Sequence, residues 1–165
     1  MARDKAVQCA AHLEAAFTVK KYLDEGKDVA MLNIGDVSIY STWSYLKEIL
    51  DREGYVSMMI PGVPSFCAVA AKLGLSLTEI DSLLHIAPGS GDLNQILDLP
   101  GTKVLMKSGK QLPNVLYELK RRNLLESSSL IKNCGLPGEE VFPDLSRETP
   151  PEGTGYFATV IVKER

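Results

Sequence analysis

Ile34-Gly35-Asp36-Val37-Ser38-Ile39-Tyr40-Ser41-Thr42 is the stretch that decides the fold of this 165-residue chain. It closes an apolar run, Val29-Ala30-Met31-Leu32-Asn33-Ile34, and a helical pattern begins within a few residues of it. A buried strand that runs into a tight turn and then a helix places backbone N–H groups and one carboxylate at the carboxyl end of a sheet. Open α/β folds bind their ligands there. A second segment of the same kind follows, Met58-Met59-Ile60-Pro61-Gly62-Val63-Pro64-Ser65-Phe66. Two such turns close together point to a nucleotide-like small-molecule site rather than a protein-interaction surface.

Around these turns the pattern alternates. Ala6, Cys9, Ala10, Leu13, Ala16, Phe17 and Leu23 recur at helical spacing and predict an amphipathic helix over 3–25, stopped by Gly26. The run 28–34 is too short for a helix and reads as a buried strand. A helix over 40–53 follows, with Trp43, Leu46, Ile49 and Leu50 on one face. Residues 55–60 read as a strand, and Ser65 to Leu73 as a helix capped by Gly74. Strand and helix in alternation predict a parallel sheet with helices on its faces.

Beyond a boundary expected near 77–82, the elements shorten. Leu83 to Ala87 predicts a strand ending in Pro88-Gly89-Ser90-Gly91, with Asp92 as N-cap of a short helix. Thr102–Lys107 reads as a strand, Gln111–Asn123 as a helix with Val115, Leu116 and Leu119 inward, and Ser128–Lys132 as a strand leading into Asn133-Cys134-Gly135. An extended segment over Glu139–Phe142, a turn at Pro150-Pro151-Glu152-Gly153 and a well-covered final strand over Tyr156–Val162 complete the chain. The expected division is 1–79 and 80–165, two α/β domains. Because the chain opens on a helix, it reads as starting inside the first domain, after that domain's opening strand.

Composition narrows the function classes. Hydrophobic residues make up 45% of the chain, enough for a core, and the net charge of −3 provides no basic field for nucleic acid or an anionic membrane. Lys120-Arg121-Arg122 reads as a solvated helix end. Cys9, Cys67 and Cys134 are odd in number and widely spaced, as expected of reduced thiols in a cytoplasmic protein. No signal peptide or membrane span is visible. No phosphate loop, Ser-His-Asp set or metal-ligand spacing stands out, and His12 and His85 read as structural. Asp36 either caps the following helix or accepts a hydrogen bond from a ligand.

Gly35-Asp36-Val37-Ser38-Ile39-Tyr40-Ser41-Thr42, followed by Ile60-Pro61-Gly62-Val63-Pro64-Ser65-Phe66, resembles the tetrapyrrole methylase family. Within that family it is most similar to the C20-methyltransferases of precorrin-2 or cobalt-precorrin-2. Val37 stands where the family usually has proline. Val104-Leu105-Met106-Lys107, Asn133-Cys134-Gly135 and Phe157-Ala158-Thr159-Val160-Ile161-Val162 lie in the family's order, so the resemblance covers essentially the whole chain. The family begins with a strand and a Gly-x-Gly-Pro-Gly-Asp-Pro loop, which correspond to nothing here.

The resemblance implies two α/β domains holding S-adenosylmethionine, with S-adenosylhomocysteine as product. The matching cofactor contacts are Ile34, Gly35, Asp36 and Ile39, then Ser65 and Phe66, then Met106, Cys134 and Thr159. It implies a tetrapyrrole substrate, a homodimer, and methyl transfer to C20 in cobalamin biosynthesis. The alternatives are another tetrapyrrole methylase, such as one acting on uroporphyrinogen III, or a non-catalytic cofactor-binding fragment. No residue is assigned as the catalytic base. Lys107, Lys110 and Lys132 are candidates for meeting substrate carboxylates, beside the plainer reading of surface lysines.

Overall fold

A computed structural model describes residues 5–151, 153–154 and 156–163. The expected helix start at Arg3 and Asp4, and Glu152 of the expected turn, lie outside the described residues. The chain forms two compact units that meet in sequence at Pro64 and Ser65. The expected boundary lay later, near 77–82. The difference has a packing cause: helix α3, Ser65–Leu73, lies against the last strand and so belongs with the second unit.

The first unit holds α1, Lys5–Asp24, and α2, Trp43–Arg52. The two pack together, and His12 stacks on Tyr45 with ring centroids 4.6 Å apart. In α2 the expected face is present: Leu46 and Leu50 are buried, with Trp43 and Ile49 half-buried. In α1 it is not. Only Ala16 is buried, while Val7, Leu13 and Phe17 are exposed, because the apolar residues are spread around this helix rather than gathered on one side.

The expected strands 28–34 and 55–60 carry no ladder among the described residues. Both are open, with Leu32 93% and Val56 97% exposed. A parallel strand is stabilised only between paired neighbours and beneath covering helices. These two runs have the composition of such strands but not the partners. They line a groove of 630 Å³ with Val19 and Leu23 of α1 and Trp43 and Leu50 of α2.

The second unit is a five-stranded mixed sheet of order β1-β2-β5-β3-β4. Its strands are β1 Leu84–Pro88, β2 Thr102–Met106, β3 Ser128–Lys132, β4 Glu140–Phe142 and β5 Ala158–Val162. Only β1 and β2 pair in parallel; β5 runs antiparallel between β2 and β3, and β4 antiparallel beside β3. The last strand enters the centre of the sheet, where all five of its residues are buried.

Between the strands lie α4, Leu93–Leu97, and α5, Leu112–Arg121. Asp92 caps α4 by accepting the N–H groups of Asn94 and Gln95 at 3.0 and 3.2 Å. Leu105, Leu130, Val160 and Val162 form one core with Leu93 and Leu97 of α4 and Leu112, Val115 and Leu119 of α5. By two-residue alternation, Val104, Met106, Ile131, Thr159 and Ile161 project on the opposite face. Arg121 and Arg122 do not form a free basic patch: Arg121 pairs with Glu118, Arg122 pairs with Asp98, and both donate to the Asn94 side chain. Among the described residues no helix is long and apolar enough to cross a membrane.

Candidate functional site

The first unit brings the two turns together. Asp36 accepts the Ser38 N–H at 2.8 Å and the Ser38 hydroxyl at 2.5 Å on Oδ1. Its Oδ2 accepts the N–H of Gly62, 26 positions away in sequence, at 2.9 Å. Backbone meets backbone beside this bond: a Cβ on Gly62 would stand 2.4 Å from the Gly35 carbonyl oxygen. Gly35 itself has φ +89°, a left-handed conformation that suits glycine.

Asp36 does not cap α2. That start is organised by Ser41, whose oxygen accepts the Trp43 N–H at 3.1 Å while its hydroxyl donates to Asn33 at 2.8 Å. Ile34 is exposed and Ile39 half-buried on either side of the turn.

In the second unit the carboxyl ends of β1, β2 and β3 share one edge of the sheet, because β2 and β3 both run antiparallel to β5. Met106 ends β2, Cys134 follows β3, and Thr159 is the second residue of β5. Thr159 pairs with Ile131, and Val160 pairs with Leu105, so Met106 and Thr159 are next in register on one face. The first residues beyond β2 and β3, Lys107 and Asn133, both take left-handed backbones, with φ 54° and 51°. For lysine this is an uncommon conformation, and such positions gather at ligand-binding edges. Gly89 packs against the same corner, donating to the Met106 carbonyl at 2.7 Å.

Ser65 and Phe66 open α3, but the part of α3 that reaches the Cys134 loop is its last turn, about 10 Å along the axis. There Lys72 pairs with Glu139 at 2.8 Å, and Glu139 accepts the Gly135 N–H at 2.7 Å. Phe66 is buried, so main chain is what it can present to a ligand. Burial holds the Cys134 thiol above its usual range. Lys132 is ion-paired with Glu140 at 2.5 Å, while Lys107 lies over the Tyr156 ring at 5.8 Å. The His85 ring meets the Pro100 carbonyl at 2.9 Å, a structural contact.

The residue that sequence reasoning missed is Gly62. Its signal was visible in the Pro61-Gly62 turn, but its partner lies too far away in the chain for spacing to name it.

One carboxylate in each unit is held below its ordinary range. The Ser38 hydroxyl, the Ser38 N–H and the Gly62 N–H lower Asp36 below its ordinary 3.8. The Gly135 N–H and Lys72 lower Glu139 below 4.5. A carboxyl depressed in the folded state stabilises fully above its unfolded value, and that stabilisation is lost as pH falls through the folded one. Glu139→Gln should therefore be less stable than the parent at pH 7. The difference should shrink as pH falls below 4.5. Denaturant unfolding of both proteins across that range checks it; a gap that does not change with pH would remove the charged contact.

In the first unit a Gly-Asp turn is fastened to a Pro-Gly turn. In the second unit Met106, Cys134 and Thr159 lie at or beside one end of the sheet. Residues 1–149 match the Tetrapyrrole (Corrin/Porphyrin) Methylases. The chain belongs to this family of S-adenosylmethionine-dependent methyltransferases.

It is similar to the cobalt-precorrin-2 C(20)-methyltransferase of Salmonella typhimurium, 29% identical over all of this chain and 70% of that protein. The probable cobalt-precorrin-2 C(20)-methyltransferase of Methanocaldococcus jannaschii is 35% identical over 70% of this chain and 44% of its own length. The uroporphyrin-III C-methyltransferase structure of Thermus thermophilus superposes with a TM-score of 0.71 at 27% identity, over 94% of this chain and 71% of that one. A further structure of that enzyme, complexed with S-adenyl homocysteine, gives 0.58 at 21% identity, over 79% of this chain and 63% of that one.

Proposed function

We propose that the parent activity of this chain is methyl transfer from S-adenosylmethionine to C20 of precorrin-2 or cobalt-precorrin-2, in cobalamin biosynthesis. The observation that carries the cofactor reading is the bond between Asp36 and Gly62, which makes one structure of the two turns that the family motif comprises. Similarity to two proteins named for C20 transfer supports the position on the ring. The proposed cofactor contacts are Ile34, Gly35, Asp36 and Ile39 from the first unit and Ser65, Phe66, Met106, Cys134 and Thr159 from the second.

A sulfonium donor is already activated. The ring carbon attacks the methyl group, the S–CH₃ bond breaks, S-adenosylhomocysteine leaves and the ring carbon loses its proton. The protein's main task is near-attack positioning. Lys107, Lys110 and Lys132 are the proposed partners of substrate carboxylates, with Lys132 also paired to Glu140.

A cytoplasmic homodimer is part of the proposal, supported by the exposed Val7, Leu13 and Phe17 of α1. Division into domains 1–79 and 80–165 is likewise proposed on the family pattern, although α3 packs with the later strands. The second reading, methylation of uroporphyrinogen III, is supported by the 27% identical Thermus enzyme.

Incubation with methyl-labelled S-adenosylmethionine and either cobalt-precorrin-2 or uroporphyrinogen III separates the two. Label on cobalt-precorrin-2 alone is expected. Label on uroporphyrinogen III alone would replace the C20 assignment.

A further inference from the structure

We infer that Gly62 and Asp36 together form a positioning clasp for the cofactor site, so that Asp36 acts through Gly62 rather than chiefly by touching ligand; this rests on the cofactor reading above. Three observations on the first unit carry it. Both carboxylate oxygens of Asp36 are already engaged, Oδ1 by Ser38 and Oδ2 by Gly62. The approach is so close that any side chain on Gly62 must displace the Gly35 carbonyl, since a Cβ would come within 2.4 Å of it. The clasped turn has no regular ladder behind it among the described residues, because the runs 28–34 and 55–60 that lead into the two turns form no strand. In a sheet, ladder hydrogen bonds would fix two such strand ends in register. Here the bond from Gly62 to Asp36 performs that task directly.

The consequence is specific. Gly62→Ala leaves the Asp36 carboxylate chemically intact, yet should weaken cofactor binding as much as Asp36→Asn does. A residue that bound ligand directly would show the loss only when it was itself replaced. A purely structural residue would lower the melting temperature without changing affinity measured well below it.

The test is calorimetric titration of the full chain, Asp36→Asn and Gly62→Ala with S-adenosylhomocysteine, at a temperature where circular dichroism shows each to be folded. Exchange of the Gly62 amide is followed alongside. Should Gly62→Ala fail to fold, Asp36→Asn decides alone: weaker binding with faster Gly62 exchange supports the clasp, and weaker binding with unchanged Gly62 exchange overturns it.

The expected result is about tenfold weaker binding in both variants, the scale of losing one charge-assisted hydrogen bond, with faster Gly62 exchange in Asp36→Asn. Unchanged affinity in both variants, or loss in Asp36→Asn alone, overturns the clasp while leaving the cofactor reading in place. A parent chain that binds no S-adenosylhomocysteine overturns the cofactor reading and the positioning role with it.

Discussion

Leu105→Ala should destabilise the second unit by about 3 kcal/mol, within the range found for emptying a packed leucine site. Leu105 is fully buried in β2, between Ala87 of β1 and Val160 of β5. Its side chain belongs to the core that α4 and α5 close. Removing it deletes apolar contact and leaves a void bounded by strands that are themselves pinned in register, so the site has little freedom to collapse. For a unit of this size the melting midpoint should fall by about 15 °C. Tyr117→Ala on α5, where the side chain is 63% exposed, is the control and should change little. A loss at Leu105 below about 1 kcal/mol would mean that the core repacks and that the sheet order is looser than described.

Gly89→Ala should cost about 2 kcal/mol, the scale of forcing one extra carbon into a closed site. The mechanism is steric. A Cβ there would stand 2.5 Å from the Ser108 Oγ and 2.9 Å from the Ser108 Cα. Ser108 cannot step aside easily, since it is fully buried and its hydroxyl donates to the Leu105 carbonyl at 3.1 Å. The strain falls at the carboxyl ends of β1 and β2, beside Met106. The same variant should therefore weaken S-adenosylhomocysteine binding if Met106 is a cofactor contact. Thermal unfolding and titration of one preparation read both effects. A stability loss with unaltered affinity would move the cofactor away from this corner.

Much of the second unit was legible. β2, β3 and α3 begin where their apolar patterns begin, Asp92 caps α4, and the closing strand is covered over Ala158–Val162, although it starts two residues later than expected and leaves Tyr156 and Phe157 exposed. Each of these depends on local spacing or on one cap, which a sequence displays. Strand order does not depend on spacing. Nothing in Ala158–Val162 announces that it will lie between β2 and β3 and reverse the sense of pairing there.

The first unit shows the opposite case. The runs 28–34 and 55–60 have the right composition for central parallel strands, yet composition provides no neighbour to pair with. They form no ladder among the described residues, and Leu32 and Val56 stay in solvent. The first helix shows the same limit: a spacing match through Phe17 did not make a buried face, because apolar residues occur on its other sides as well.

The candidate site was half legible. Gly35-Asp36 was recognisable as a turn at the end of an apolar run, and Pro61-Gly62 as its counterpart. From its spacing Asp36 reads as a helix cap or a ligand contact; the structure makes it the tie between the two turns. That role depends on a separation of 26 residues and a backbone approach that only coordinates reveal. In the second unit, Met106 and Thr159 come from strands far apart in sequence and meet only because β5 enters the sheet beside β2.

Calorimetric titration of the unmodified 165-residue chain with S-adenosylhomocysteine tests the central claim most directly. Binding with a Kd of roughly micromolar, about −8 kcal/mol, is the predicted result. No heat of binding from a sample that unfolds cooperatively would contradict a working cofactor site in this chain.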